Sequence, residues 1–239
     1  IRDSADKEYP SSLKNIRWPP RLRAPRALFH KGSLLDFNDC VAIGGTRRCS
    51  DYGRKAAYDI SGRLAENGYT VVSGLATGVD TEAHKGALEA GRKTVAVLAW
   101  MDPVYPPENL NLSKQIVEQG AILSECYQRP KSNIKWRFVE RNKIISGISK
   151  CVIAIETGEE GGTIQLAKIA RSQGRKVFVL EPKEENERAK RGYKSLLAKG
   201  VAPIKSYKDV LDFLKDENFH SSFKGKKANS FYQSPLTAF

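Results

Sequence analysis

The sequence predicts an α/β protein built on a doubly wound parallel sheet. Short apolar runs recur along the chain, and each is bounded by Gly, Pro or polar turn residues. Runs that are apolar throughout are typical of strands buried on both faces of a parallel sheet. The predicted strands are residues 41–43, 70–72, 94–99, 121–123, 151–155 and 176–180. Helical patterns lie between them, and this alternation indicates right-handed βαβ units in a Rossmann-like domain.

The helical patterns carry local signals for their starts and ends. Ser50 is placed to cap the helix predicted over residues 50–66, and Gly68 is placed to end it. Asp80 is placed to cap the helix over residues 80–90. Further helices are predicted over residues 107–119, 162–173, 184–199 and 207–215. Together these elements place the Rossmann-like domain within residues 41–215.

The two ends of the chain differ in composition from this central part. Residues 1–40 are basic and contain Pro10, Pro19, Pro20 and Pro25, which exclude a long helix there. We expect a short proline-rich N-terminal extension that packs on the sheet domain. Residues 216–239 are polar and basic with scattered aromatic side chains. We expect a disordered tail there, and an interaction arm is the alternative.

The balance of charge favours a polyanionic partner. The chain of 239 residues has 40 Lys and Arg against 27 Asp and Glu, which gives a formal net charge of +13. Nucleic acid fits such a surplus, and an anionic membrane or solubility alone are the alternatives. The sequence has neither an apolar run of about 18 residues nor a signal-peptide pattern. We therefore expect a cytoplasmic protein with no membrane partner.

No pattern points to a metal, a cofactor or a catalytic group. The four cysteines are scattered, with no C-x-x-C pair, so reduced thiols are expected and zinc is not. Asp80 and His84 are four residues apart and could form an acid–base pair; the alternative is a helix cap and a structural hydrogen bond. Nothing in the sequence requires catalysis, and we expect a protein that is not an enzyme.

Ligands of an open parallel sheet bind at the carboxyl ends of its strands. The loops that open on this edge are residues 44–50, 73–80, 100–107, 125–138 and 156–163. The first of them, GGTRRCS, combines glycines with Arg47 and leads into a helix N-terminus, whose N–H groups can bind a phosphate. It is not a G-x-G-x-x-G motif, and no acidic residue ends the second strand. Both differences disfavour a nicotinamide dinucleotide.

Residues 129–150 combine cations with flat side chains. Lys and Arg recur there against the single acidic residue Glu140, and Trp136 and Phe138 lie among them. Such a surface suits a ligand that carries both phosphates and unpaired bases, which is single-stranded nucleic acid. A solvated basic loop is the alternative.

Motifs spread over about residues 9–215 occur in a recognisable order. They include VAIGGTRRCSDYG, VVSGLATGVDTEAHKGAL, VYPPEN, FVERNKIISGIS, GEEGGT and RGYKSLLAKGVAPIKSYKDVL. The combination of GTR, SGLATGVDxxAH and FxxRNxIIxGxS in one chain is specific, although any one alone is weak. In these features the chain resembles the DprA/Smf family of DNA-processing proteins.

The resemblance implies a protein that binds single-stranded DNA, usually as a homodimer. It also implies loading of a RecA-type recombinase onto that DNA, as in natural transformation or DNA repair. Arg47 and Lys135 would contact phosphates and Phe138 would contact a base, with Arg141 and Asn142 lining the pocket. The DNA-binding residues that it implies are Gly45, Thr46, Arg47, Lys135, Phe138, Arg141, Asn142, Gly162 and Thr163. No cofactor follows from it.

Two other functions fit the same broad superfamily. One is a phosphoribohydrolase-like enzyme, which needs a catalytic Glu just after a PGG-x-GT turn. Here Gly161, Gly162 and Thr163 are followed by Gln165, and no Pro precedes them. The other is a nucleotide-binding sensor of the defence-associated kind, which would use the same pocket for a small ligand.

Overall fold

The computed structural model describes residues 2–3, 9–14, 22–33, 36–183 and 185–216. The predictions made for residues 217–239 lie outside this part of the chain. The described strands form one nine-stranded sheet in the order β1-β2-β6-β5-β4-β3-β7-β8-β9. They are β1 (Arg2–Asp3), β2 (Ala27–Gly32), β3 (Cys40–Gly45), β4 (Thr70–Ser73), β5 (Thr94–Leu98), β6 (Ala121–Ser124), β7 (Cys151–Ile155), β8 (Lys176–Leu180) and β9 (Ala202–Ile204).

The sheet is parallel from β6 across to β9, and each predicted strand is present within one or two residues of its expected bounds. Helices separate the strands as the sequence predicts, so the Rossmann-like α/β fold is confirmed. The helices are α1 (Ser11–Lys14), α2 (Asp51–Glu66), α3 (Val79–Glu89), α4 (Leu110–Gln119), α5 (Ile134–Gly147), α6 (Gly162–Ser172), α7 (Glu187–Ala198) and α8 (Tyr207–Lys215). A 3₁₀ turn, Pro107–Asn109, leads into α4.

The N-terminal segment contributes two strands to the edge of the sheet. Strand β2 pairs antiparallel with β6, with Phe29 opposite Ser124 and Gly32 opposite Ala121. Strand β1 then pairs antiparallel with β2. No pattern in the sequence predicts these strands, which add an antiparallel pair to one edge of the parallel sheet.

The core lies on both faces of the central strands, because successive side chains of a strand point to opposite faces. Val41 and Ile43 of β3 belong to one buried cluster, together with residues of α2, α3 and α8. Ala42, between them, belongs to the other cluster, with residues of α5 and α6. This two-sided burial explains why the strands are apolar throughout. None of the described helices is both long enough and apolar enough to cross a bilayer.

Strand β3 marks the point at which the order of the sheet reverses. The chain proceeds from β3 through β4 and β5 to β6, and then returns to the other side of β3 with β7. Gly44 and Gly45 of β3 stand beside Ala154 and Ile155 of β7. The loops that follow β3 and β7 therefore diverge from each other, which opens a crevice at the carboxyl ends of the two strands.

Candidate nucleic-acid interface

A cavity of about 410 Å³ occupies this crevice. The loops after β3, β4 and β7, the middle of α5 and the starts of α6 and α7 form its walls. It is lined by all but one of the residues that the resemblance assigns to DNA: Gly45, Thr46, Arg47, Phe138, Arg141, Asn142, Gly162 and Thr163. The exception is Lys135, which is exposed on α5 outside the lining. The structure thus brings these side chains together, and their contacts with DNA stay predictions.

The N-terminus of α2 is not available to a phosphate, contrary to the expectation for the GGTRRCS loop. The carboxylate of Glu156, at the end of β7, accepts hydrogen bonds from the Ser50 backbone N–H (2.8 Å) and from the Ser50 hydroxyl. Ser50 Oγ in turn accepts from the Gly53 N–H (3.1 Å), as predicted for the cap of this helix. An internal carboxylate therefore occupies the position in which the dipole of α2 favours an anion.

The N-terminus of α6, in contrast to that of α2, has no side-chain cap. Its N-cap is Gly161, whose φ of 118° lies in the region that favours glycine. Gly161 and Gly162 are exposed, whereas the side chain of Thr163 is largely buried beneath them. Asn142 is buried and donates from Nδ2 to the Gly162 carbonyl (3.2 Å), which ties α5 to this turn. Free N–H groups therefore face the cavity at α6.

Arg141 enters the cavity from below and is held by the protein itself. Its Nη1 donates to the Val97 carbonyl (2.8 Å). The guanidinium lies where the Cβ of any residue other than glycine at position 74 would stand, 1.6 Å from Nη1, so Gly74 is required for this packing. Burial raises the pKa of Asp80, and the nearby Arg141 charge opposes that rise. Arg141 and Asp80 thus lie together at the floor of the cavity.

Asp80 and His84 do not form an acid–base pair. His84 is fully buried, and its Nδ1 lies 2.8 Å from the Thr94 hydroxyl, which confirms the structural hydrogen bond expected for His84. Burial lowers the pKa of His84 to about 3, so the imidazole is neutral at physiological pH. Asp80 stands inside α3, whose N-cap is Gly78, and it accepts from the Ala76 N–H (3.3 Å) before the helix. The expectation that Asp80 caps α3 is therefore wrong.

Phe138 forms one corner of an aromatic cluster at the mouth of the cavity. Its ring centroid lies 5.2 Å from that of Trp100 and 5.7 Å from that of Tyr105. Trp100 is buried and its indole N–H donates to the Pro103 carbonyl (2.9 Å). The Arg47 guanidinium lies over the Phe138 ring, 5.4 Å from its centroid. A cation from the loop after β3 and a half-buried ring of α5 thus meet at the cavity mouth.

The basic segment carries less free charge than its sequence indicates. Lys135 to Phe138 belong to the first turns of α5 and not to a loop. Arg137 pairs with Glu140 (2.8 Å), and Lys143 is buried against Glu125 (2.6 Å) and Glu140. Lys150, the last cation of the segment, forms an ion pair with Asp39 just before β3 (Nζ to Oδ1, 2.6 Å). The exposed cations that remain near the start of α5, Lys131 and Lys135, concentrate positive charge there.

The cavity is also lined by side chains that were not predicted as site residues: Thr157, Glu160 and Arg188. Arg188 comes from α7, more than forty positions beyond Phe138 in the printed sequence. It stands in a charged helical stretch, ERAKRGYK, in which no residue type distinguishes it from its neighbours. Only the packing of α7 on the loop after β7 reveals its place, so no sequence signal could have found it.

Comparison with known proteins agrees with this geometry. The family model described as DNA recombination-mediator protein A matches residues 1–215. The DNA processing protein DprA of Bacillus subtilis is 34% identical over 90% of this chain and 71% of its own length. The crystal structure of DprA from Streptococcus pneumoniae superposes with a TM-score of 0.78 at 35% identity, covering 88% of this chain and 72% of that one.

A third similar protein is known for the ligand that it binds. DprA from Helicobacter pylori, whose structure was described for its single-stranded DNA binding mode, has a TM-score of 0.72 at 29% identity. The match covers 81% of this chain and 89% of that one. The family model spans the whole sheet domain, and the relatives share the same architecture. The chain therefore belongs to the DprA/Smf family of DNA recombination-mediator proteins.

Proposed function

We propose that this protein binds single-stranded DNA across the carboxyl edge of its sheet and acts as a recombination mediator. The observation that carries the proposal is the meeting of Arg47 and Phe138, 5.4 Å apart, at the mouth of the cavity. A guanidinium can hold a phosphate while the adjacent ring stacks on a base. The two side chains thus offer both contacts that one nucleotide requires.

The electrostatics of this edge support the same ligand. The chain has a net charge of +13, and Arg47 has no ion pair with an acidic side chain among the described residues. The open N-terminus of α6 lies on the cavity, and Lys135 stands exposed nearby on α5. Phosphates passing over this edge would meet several donors that no acidic side chain neutralises.

A single strand is favoured over a duplex because the ring lies in a recess. Phe138 is half-buried between Trp100 and Tyr105, so an unpaired base must turn into the cavity to reach it. The bases of a duplex are stacked and paired, and they cannot turn inward without losing both interactions. The single-stranded DNA binding described for the Helicobacter pylori relative supports this choice.

The decisive measurement is binding by fluorescence anisotropy across a range of salt concentrations. We expect tighter binding of a single-stranded oligonucleotide than of the matching duplex or of mononucleotides. Arg47→Ala should weaken binding to every sequence and lower the salt slope by about 0.7, the value for one lost phosphate contact on a single strand. The matched control is Arg54→Ala, because Arg54 is exposed on α2 and lies 3.7 Å from Asp51, away from the cavity. Equal affinity for single strand and duplex would contradict the proposal, and tight binding of mononucleotides alone would favour a nucleotide sensor.

We further propose that the protein acts in the cytoplasm as a homodimer that loads a RecA-type recombinase onto the bound strand. The proposal rests on membership of a recombination-mediator family. Light scattering at micromolar concentration should then give twice the monomer mass of 26.6 kDa. The protein should also shorten the lag before the recombinase assembles on single-stranded DNA that is already coated by a single-strand-binding protein. A strict monomer, or an unchanged lag, would contradict the corresponding half of this proposal.

A further inference from the structure

The cavity has a second basic wall, which comes from α7. Arg188 lines the cavity on the side of the loop that follows β7. Its guanidinium packs on Gly158, because a Cβ at that position would lie 3.1 Å from Arg188 Nε. Arg47 reaches the same cavity from the loop after β3. The two guanidinium groups therefore come from different elements, the loop after β3 and helix α7.

Close packing of α7 holds Arg188 in this place. Gly192, one helical turn further on, stands so near the loop that its Cβ would lie 1.9 Å from the Thr157 carbonyl oxygen. A residue with a side chain would push the helix away, and Arg188 shares that face of the helix. The start of α7 is also fixed, because Asn186 accepts a hydrogen bond from the Ala189 N–H (3.0 Å). Arg188 is thus carried by a rigid element.

The charge of Arg188 is available to a ligand. Its neighbours on α7 are paired, Lys190 with Glu187 (2.7 Å) and Arg191 with Glu159 (3.6 Å). Within the described part of the chain Arg188 has no such pair. Glu160 also lines the cavity but lies beyond ion-pair distance of it. An exposed guanidinium without a carboxylate partner is well suited to bind a phosphate through two hydrogen bonds.

We infer that Arg47 and Arg188 hold two different phosphates of one DNA strand, with the open N-terminus of α6 between them. The inference rests on the proposed function and adds the path of the strand. Strands β3 and β7 are neighbours, and α7 packs on the loop after β7, so the DNA crosses the ends of β3 and β7 and continues toward α7. Arg188 then contributes one phosphate contact, as Arg47 does.

The test compares Arg188→Ala, Arg47→Ala and the double variant in the full chain, with a labelled single-stranded oligonucleotide of about 20 nucleotides. Each single change should lower the salt slope by about 0.7, and the double change by about 1.4. Arg188→Lys should keep the wild-type slope, because it keeps the charge. Arg191→Ala on the same helix is the matched control and should behave like wild type. Thermal melting of each variant checks that the fold is intact.

The outcomes separate this inference from the proposed function. If Arg47→Ala weakens binding and Arg188→Ala does not, the second contact is wrong while single-stranded DNA binding stands. If the double variant has the slope of either single one, both side chains share one phosphate and the proposed path is wrong. If all variants bind like wild type, the cavity is not the DNA site and the proposed function fails as well.

Discussion

Replacing Lys143 with alanine should lower the free energy of unfolding by about 3–5 kcal/mol, the usual cost of breaking a buried ion pair from one side. The Lys143 side chain is only 2% exposed, and its ammonium lies 2.6 Å from Glu125 and 3.6 Å from Glu140. Removal of the cation leaves Glu125 (29% exposed) without this partner and Glu140 (21% exposed) with Arg137. Urea unfolding followed by circular dichroism measures the change.

Lys150→Ala is the matched control for this prediction. Lys150 also forms an ion pair with a carboxylate (2.6 Å, with Asp39), but the Asp39 side chain is 61% exposed. Exposed pairs contribute about 0–1 kcal/mol, so this variant should be almost as stable as wild type. Similar losses for the two variants would contradict the view that burial sets the difference. The result matters for function because α5, which Lys143 anchors, carries Phe138 and Arg141.

Phe138→Ala should weaken binding of single-stranded DNA by about 1–3 kcal/mol, the value of one stacked base. The salt slope should stay nearly unchanged, because no phosphate contact is lost. This signature is opposite to that of Arg47→Ala, which changes the slope. Titrations of the two variants at several salt concentrations therefore separate stacking from charge, although the two side chains lie only 5.4 Å apart.

The stability of the Phe138 variant must be measured alongside. The ring packs on Trp100 and Tyr105, and each aromatic pair contributes about 0.5–1.5 kcal/mol beyond its buried area. Phe138→Leu fills the space without offering a ring, so it should fold like wild type and still bind weakly. A folded Phe138→Ala variant that binds normally would exclude the stacking role. Unfolding of Phe138→Ala would identify Phe138 as a core residue.

Local patterns in the sequence were sufficient for strands β3 to β8 and most helices. The central strands are buried on both faces, so their apolar runs stand out, and Ser50 marks the start of α2 by its own hydrogen bond. Strand β2 was missed because it lies near the sheet edge, with Leu28 as its fully buried residue, and leaves no apolar run. Its position depends on pairing with β6, which a local pattern does not encode.

The candidate site, like the fold, was only partly predictable from the sequence. Loop positions followed from topology, since parallel strands end at one edge, and this was enough to bring Arg47 and Phe138 together. The sequence could not show which cations are free of ion pairs, because the partners of Lys143 and Lys150 include acids outside the basic segment. Arg188 reaches the cavity through the packing of a separate helix. Such contacts between distant parts of the chain are properties of the folded structure.

The carboxylate of Glu156 also determines which small molecules can compete for this edge. In doubly wound folds that hold a dinucleotide, the pyrophosphate binds at the N-terminus of the helix after the first strand of the motif. Here Glu156 is bonded to Ser50 at that position, across 106 residues of sequence. A soluble dinucleotide would bring its pyrophosphate against this fixed negative charge, and like charges at a contact are costly. We therefore expect dinucleotides to be disfavoured at this edge, whereas no side chain caps the neighbouring N-terminus of α6.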